Sequence, residues 1–196
     1  MDMKMRQTDK TDAELLKQAK YEINKGFISG LEAFEVILSK YERLIYFIAR
    51  RYFSNAEDVM DVSQETAIKI FNGLPNVKIK KDGNLKAWIC TVTARTCLDH
   101  LRKRRPQTTE LTDEITAGQV LPSAEESAVT NERVNEILSA IQKLPEDHRM
   151  AIILRDMQSL SYEEIAAALD ISIGTVKSRL SRARAGLKKL LSGESS

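Results

Sequence analysis

Histidine and cysteine are scarce, with two of each in 196 residues, and that scarcity removes whole classes of chemistry. Cys90 and Cys97 stand in an apolar helical run with neither a Cys-x-x-Cys pair nor a pair of histidines beside them, so buried thiols are expected and a metal site is not. His100 reads as a polar neighbour of a basic cluster, and His148 as a surface residue after Leu144 and Pro145. There is no Gly-rich phosphate loop and no carboxylate pair at metal-ligand spacing, so neither an enzyme nor a cofactor is expected. No apolar run approaches the roughly 20 residues of a membrane span, and no apolar signal core follows Met1. The expected location is cytoplasmic.

What the chain does have is charge, 30% of its residues, in blocks of alternating sign behind a net charge of only +2. Basic residues gather at Arg102, Lys103, Arg104 and Arg105 and again from Lys177 to Lys189. Between them, residues 106–130 hold Glu110, Asp113, Glu114, Glu125 and Glu126 but no lysine or arginine, amid Thr, Ser, Pro and Gly without sustained periodicity. That stretch reads as a flexible acidic linker, and an all-α chain of two small helical domains is the expected architecture. The segments are 1–30, an extension with one short helix; 31–105, a helical domain; 106–130, the linker; and 131–192, a second helical domain.

Local signals place the helices. Thr11 with Glu14 is a capping box for a short helix over 12–20, and residues 31–53 repeat apolar positions at helical spacing. Ser54 with Glu57 reads as another capping box, after which Val59, Val62, Thr66, Ile70 and Leu74 line one face and Asp61, Gln64 and Glu65 sit on the far side. Residues 76–84 form a lysine-containing loop. A fourth helix over 85–105 is apolar nearly all round, which suits a helix central to its domain or one facing a partner. Its polar stripe, Arg95, Asp99 and Arg102, is explicable by intrahelical ion pairs alone, and Trp88 by core packing.

Residues 160–191 read as a helix-turn-helix. Ser161 with Glu164 caps the first helix, residues 170–174 form the turn with Ser172 as the next N-cap, and the second helix is basic with no acid. Val176, Leu180, Ala183 and Leu187 share one stripe for packing. Ser178, Ser181 and Arg182 oppose it, with Lys177 at the edge, as direct base readout requires. Thr175, Arg179 and Arg184 flank that surface, where phosphates lie.

Three segments resemble, in order, the motifs of bacterial sigma-70 factors: Asp61-Val62-Ser63-Gln64-Glu65 the core-polymerase-binding motif, the run from Leu85 to Lys103 the promoter-melting and minus-ten helix, and residues 161–184 the minus-thirty-five helix-turn-helix. The lack of further domains is similar to the two-domain extracytoplasmic-function class. The resemblance implies that Asp61, Gln64 and Glu65 bind the clamp helices of core RNA polymerase. It also implies that Trp88, Arg95, Asp99, Arg102, Lys103 and Arg104 engage the minus-ten element, and that Thr175, Lys177, Ser178, Arg179, Ser181, Arg182 and Arg184 engage the minus-thirty-five element. Promoter DNA, core polymerase including its flap, and an anti-sigma factor are the partners implied. Melting would be driven by capture of unpaired bases, not by ATP. The acidic linker resembles the segment that such factors thread through polymerase near the path of RNA. Many members have asparagine at Arg95 and alanine at Thr93, and their connection corresponding to residues 15–30 is shorter. A helix-turn-helix regulator that does not bind core polymerase is the alternative.

Overall fold

The computed structural model describes residues 10–25, 31–77, 84–104 and 131–192; the acidic stretch and most of the 76–84 loop lie outside them. Among the described residues the regular elements are all helical: α1 (Asp12–Asn24), α2 (Glu32–Tyr52), α3 (Ala56–Gly73), α4 (Leu85–Arg104), α5 (Asn131–Gln142), α6 (Glu146–Ile152), α7 (Tyr162–Leu169) and α8 (Ile173–Ser192). A 3₁₀ turn, Leu74–Asn76, closes α3, and a π turn, Ile153–Met157, extends α6. None of these helices is long and apolar enough to cross a membrane.

The capping chemistry of the sequence accounts for most helix starts. Both reciprocal boxes form, Thr11 with Glu14 and Ser161 with Glu164. At α3 the expected box does not form, because the helix begins one residue later. Asn55 is the cap, accepting the Glu57 N–H at 2.9 Å, and Glu57 is then too early in the turn to reach back. The chain reverses before α8 at Asp170, which adopts φ 55° and ψ 50°, a left-handed conformation that aspartate tolerates better than most residues. Ser172 caps α8 through the Thr175 N–H at 3.1 Å. Gly174 therefore lies inside the helix and not in the turn.

Two apolar clusters hold the helices together. The first joins α1, α2, the end of α3 and the start of α4 through Leu15, Ile37, Ile45, Ile70, Leu74, Leu85 and Ile89. The second begins with Ile48, Tyr52, Val59, Val62, Cys90, Ala94 and Cys97 of the same helices and continues without a break into Met150, Ile152, Leu154, Ile165, Val176 and Leu180. The two halves of the chain thus share a core. Helix α4 lies between its own domain and α7, which is why it is apolar on nearly every side. The thiols sit in this shared layer, and burial pushes Cys90 up to about 12 and raises Cys97 as well.

Polar ties cross the same boundary, and each ends on a carbonyl at or near a helix terminus. Arg149 donates to Tyr52 O at 2.8 Å, Gln142 to Arg50 O at 3.2 Å, and Lys86 to Gln158 O at 3.0 Å. Arg95 donates to Ala167 O at 2.7 Å and Ala168 O at 3.0 Å. Last-turn carbonyls lack intrahelical donors and carry the negative end of the helix dipole, so cations and amides complete them. Arg149 also reaches Leu144 O at 2.9 Å and Gln142 O, which ties the α5–α6 connection to the end of α2; its guanidinium, largely buried, has its pKa lowered by desolvation. Arg149→Met strands these carbonyls at once and is expected to destabilise the fold by about 2–4 kcal/mol in urea denaturation.

Candidate nucleic-acid interface

The far side of α3 is a mixed surface and not simply an acidic one. Asp61 and Gln64 are exposed there, as expected, but Met60 and Ile68 lie on the same face at 59% and 61% exposure. The expected grouping of Glu65 with Asp61 and Gln64 is only partly realised. Glu65 turns toward α4, 3.0 Å from the Lys69 ammonium and 3.7 Å from that of Lys103, and the Lys69 hydrogen bond holds its carboxyl below the usual range. Met60 and Ile68 were missed in the sequence because apolar side chains were assigned to the packing stripe. Their being out of register with that stripe was the available signal.

On α4, helical spacing puts Trp88, Arg95, Asp99 and Arg102 on one stripe. Trp88 is half-buried and packs against Gly73, where a Cβ would come within 3.1 Å of the indole, so α3 ends in the residue that leaves room for the ring. Asp99 is 3.5 Å from Arg102 and 3.4 Å from Lys69, so the stripe and Glu65 are joined through one exposed network of ion pairs. The alternative of purely intrahelical pairing fails for Arg95. Its guanidinium goes to α7 and not to Asp99.

Arg104 and His100 occupy a different side of the helix. Both converge on Asp58, with His100 Nε2 at 2.9 Å from Asp58 Oδ1, Arg104 on Oδ2, and the imidazole edge against Phe53. His100 is therefore a link between the start of α3 and the end of α4, more than a neighbour of the basic run. His148, expected on the surface, is half-buried.

Helix α8 presents Lys177, Ser178, Ser181 and Arg182 to solvent, opposite the buried Val176, Leu180 and Ala183. The Thr175 hydroxyl is engaged by Ser172 at 2.9 Å, and Ser178 Oγ bonds back to Thr175 O. The flanking cations are tied to acids of α6 and of the π turn that extends it. Arg179 meets Asp147 at 2.6 Å, and Arg184 grips Asp156 with Nε at 3.2 Å and Nη2 at 2.7 Å, which raises the Arg184 pKa. Close by, a cleft of about 270 Å³ opens between the halves, floored by Leu98, Leu101, Leu169 and Ile171 and flanked by Arg102 and Asp147.

Comparison with known proteins places the chain in a family. The description "Sigma-70 region 2" matches residues 37–107, and "Sigma-70, region 4" matches residues 135–187. The chain is 33% identical over 168 residues to the RNA polymerase sigma-H factor of Pseudomonas aeruginosa, covering 81% of this chain and 86% of that one. With the ECF RNA polymerase sigma-E factor of Escherichia coli it shares 34% over 162 residues, covering 78% and 83%. Among solved structures it is similar to the Bartonella quintana sigma factor RpoE in complex with the anti-sigma factor NepR, with 27% identity, TM-score 0.61 and coverage of 81% and 96%. The fold of CnrH in complex with the cytosolic domain of CnrY is also similar, with 24% identity, TM-score 0.64 and coverage of 94% and 99%.

The buried and exposed charge clusters should behave differently. Asp58→Asn is expected to cost about 1–3 kcal/mol, because a charge-assisted, nearly buried acceptor is lost. Glu65→Gln, in the exposed network, is expected to cost less than about 1 kcal/mol. Urea titrations of the two variants compare them directly.

Proposed function

The chain belongs to the extracytoplasmic-function class of sigma-70 factors, and we propose residue roles and a working cycle for it on that premise. As an alternative sigma factor it binds core RNA polymerase and directs it to promoters with minus-thirty-five and minus-ten elements. The observation that carries the assignment of surfaces is the pairing, in one chain, of a mixed polar and apolar face on α3 with a helix-turn-helix whose second helix exposes Lys177, Ser181 and Arg182.

On this reading Asp61 and Gln64 bind the polymerase clamp helices, and Met60 and Ile68 supply the apolar contact that a polar patch alone lacks. Glu65 acts at the edge of that contact while steadying Lys103. The α4 stripe receives the minus-ten strand, with Trp88 available for stacking and Arg102 and Lys103 for backbone charge. Opening of the duplex then follows from capture of unpaired bases. In α8, Ser178, Ser181, Arg182 and Lys177 face base edges, and Arg179 and Arg184 hold phosphates while steadied by Asp147 and Asp156. The factor acts by binding, in the cytoplasm where polymerase works, and performs no reaction of its own.

The two halves must separate for this to happen. Elements named for positions about 25 base pairs apart lie on the order of 85 Å apart along B-DNA. In the closed chain α4 and α7 are within hydrogen-bond distance. The closed form is therefore the resting form, and polymerase supplies the differential affinity that opens it. An anti-sigma partner would favour the closed form by seating an apolar side chain in the cleft over Leu98 and Leu169.

Pull-down with core polymerase followed by run-off transcription on genomic DNA tests the assignment; a folded chain that fails to bind core contradicts it. Gln64→Ala combined with Ile68→Ser is expected to weaken core binding at least tenfold with helicity unchanged, measured by competition, because neither side chain is in a core cluster. Arg182→Ala should cost about 1–3 kcal/mol and relax discrimination at one base pair, whereas Arg184→Ala should weaken every duplex alike and lower the salt slope by about one, measured with holoenzyme across a salt series.

A further inference from the structure

The end of α7 has a specific deficit of donors. The backbone N–H groups of Asp170 and Ile171 both point to the carbonyl of Ala166, so the last-turn carbonyls of Ala167 and Ala168 are reached instead from outside the helix. Arg95 reaches them, with Nη2 at 2.7 Å from Ala167 O and Nε at 3.0 Å from Ala168 O. A guanidinium fork on two adjacent carbonyl oxygens at the negative end of a helix dipole is held as it would be on two oxygens of a phosphate. The same side chain lies on the exposed α4 stripe with Trp88, Asp99 and Arg102.

We propose that Arg95 has two mutually exclusive uses: it latches the closed chain by capping α7, and it is released to single-stranded DNA when the halves part. DNA and the helix-turn-helix domain then compete for one guanidinium, so promoter engagement and opening reinforce each other. The latch follows from the geometry alone. The competition rests on the reading of α4 as the minus-ten helix, and the two are tested separately.

Cys90 supplies the readout. It is fully buried in the core layer shared by α4 and the C-terminal helices, so parting the halves is what opens it to alkylation while the helices stay intact. The rate is measured by mass spectrometry on the full chain without polymerase, alongside circular dichroism to establish that the helices are intact. Arg95→Met keeps the aliphatic stem but removes the donors, and is expected to raise the rate roughly tenfold, the scale of a charge-assisted hydrogen bond. Arg95→Lys, which keeps one charged donor, should fall between parent and Arg95→Met. A rate for Arg95→Met equal to that of the parent overturns the latch. In the second arm, a pool of random-sequence single-stranded oligonucleotides is added. The parent's Cys90 should then react faster, and that of Arg95→Met should show little further change. No acceleration of the parent, or equal acceleration of both, overturns the competition while leaving the latch result standing.

Discussion

The face that α4 turns toward the C-terminal half is built from small side chains, Ala87, Cys90, Ala94 and Cys97, and this is what lets α7 approach closely enough for Arg95 to reach its backbone. A larger residue at Ala94 would push α7 away and remove apolar contact and the Arg95 bonds together. The close approach also fixes the fate of the thiols, which lie buried in the layer with their pKa values raised. Helix α4 belongs to both halves at once, and its position carries the rest of the arrangement.

Charge does two different jobs around that helix. Glu65, Lys69, Asp99 and Arg102 form an exposed network in which each pair contributes little, and such a network is easily rearranged when a protein or nucleic-acid partner arrives. The cations that cross between halves act on helix termini instead, where their donors replace missing backbone partners. Those contacts are individually modest and directional. They suit a junction that must hold in the free factor and yield to a large polymerase surface, because a partner need only offer better acceptors and more apolar area. On the function proposed for the chain, the closed junction is the state from which activity starts.

Features whose partners lie within one turn were legible in the sequence. The capping boxes at Thr11 and Ser161, the buried stripe from Val59 to Leu74, and the opposition of Ser181 and Arg182 to the Val176–Leu180 stripe all follow from local spacing. The α3 cap was misread by one residue because Ser54 and Asn55 are both competent caps and only the backbone decides between them. Arg95, Lys86 and Arg149 were not readable as junction residues, since their acceptors are carbonyls 72, 72 and 97 positions away and no side-chain pattern advertises a carbonyl. His100 was only partly readable, as a neighbour of the basic run, for a similar reason. Its carboxylate partner, Asp58, lies 42 positions earlier, on the side of α3 that apolar periodicity assigns to the core.

A shared core makes the stability of each half depend on the other, and native-state hydrogen exchange in increasing urea reads that dependence most directly. The slowest amides of α2 and α4 should converge with those of α6 and α8 on a single opening free energy, because unfolding either set exposes the layer common to both. If the amides of α6 and α8 instead exchange through a cheaper opening that leaves α4 protected, the halves are independent and the account of a chain closed around α4 is wrong.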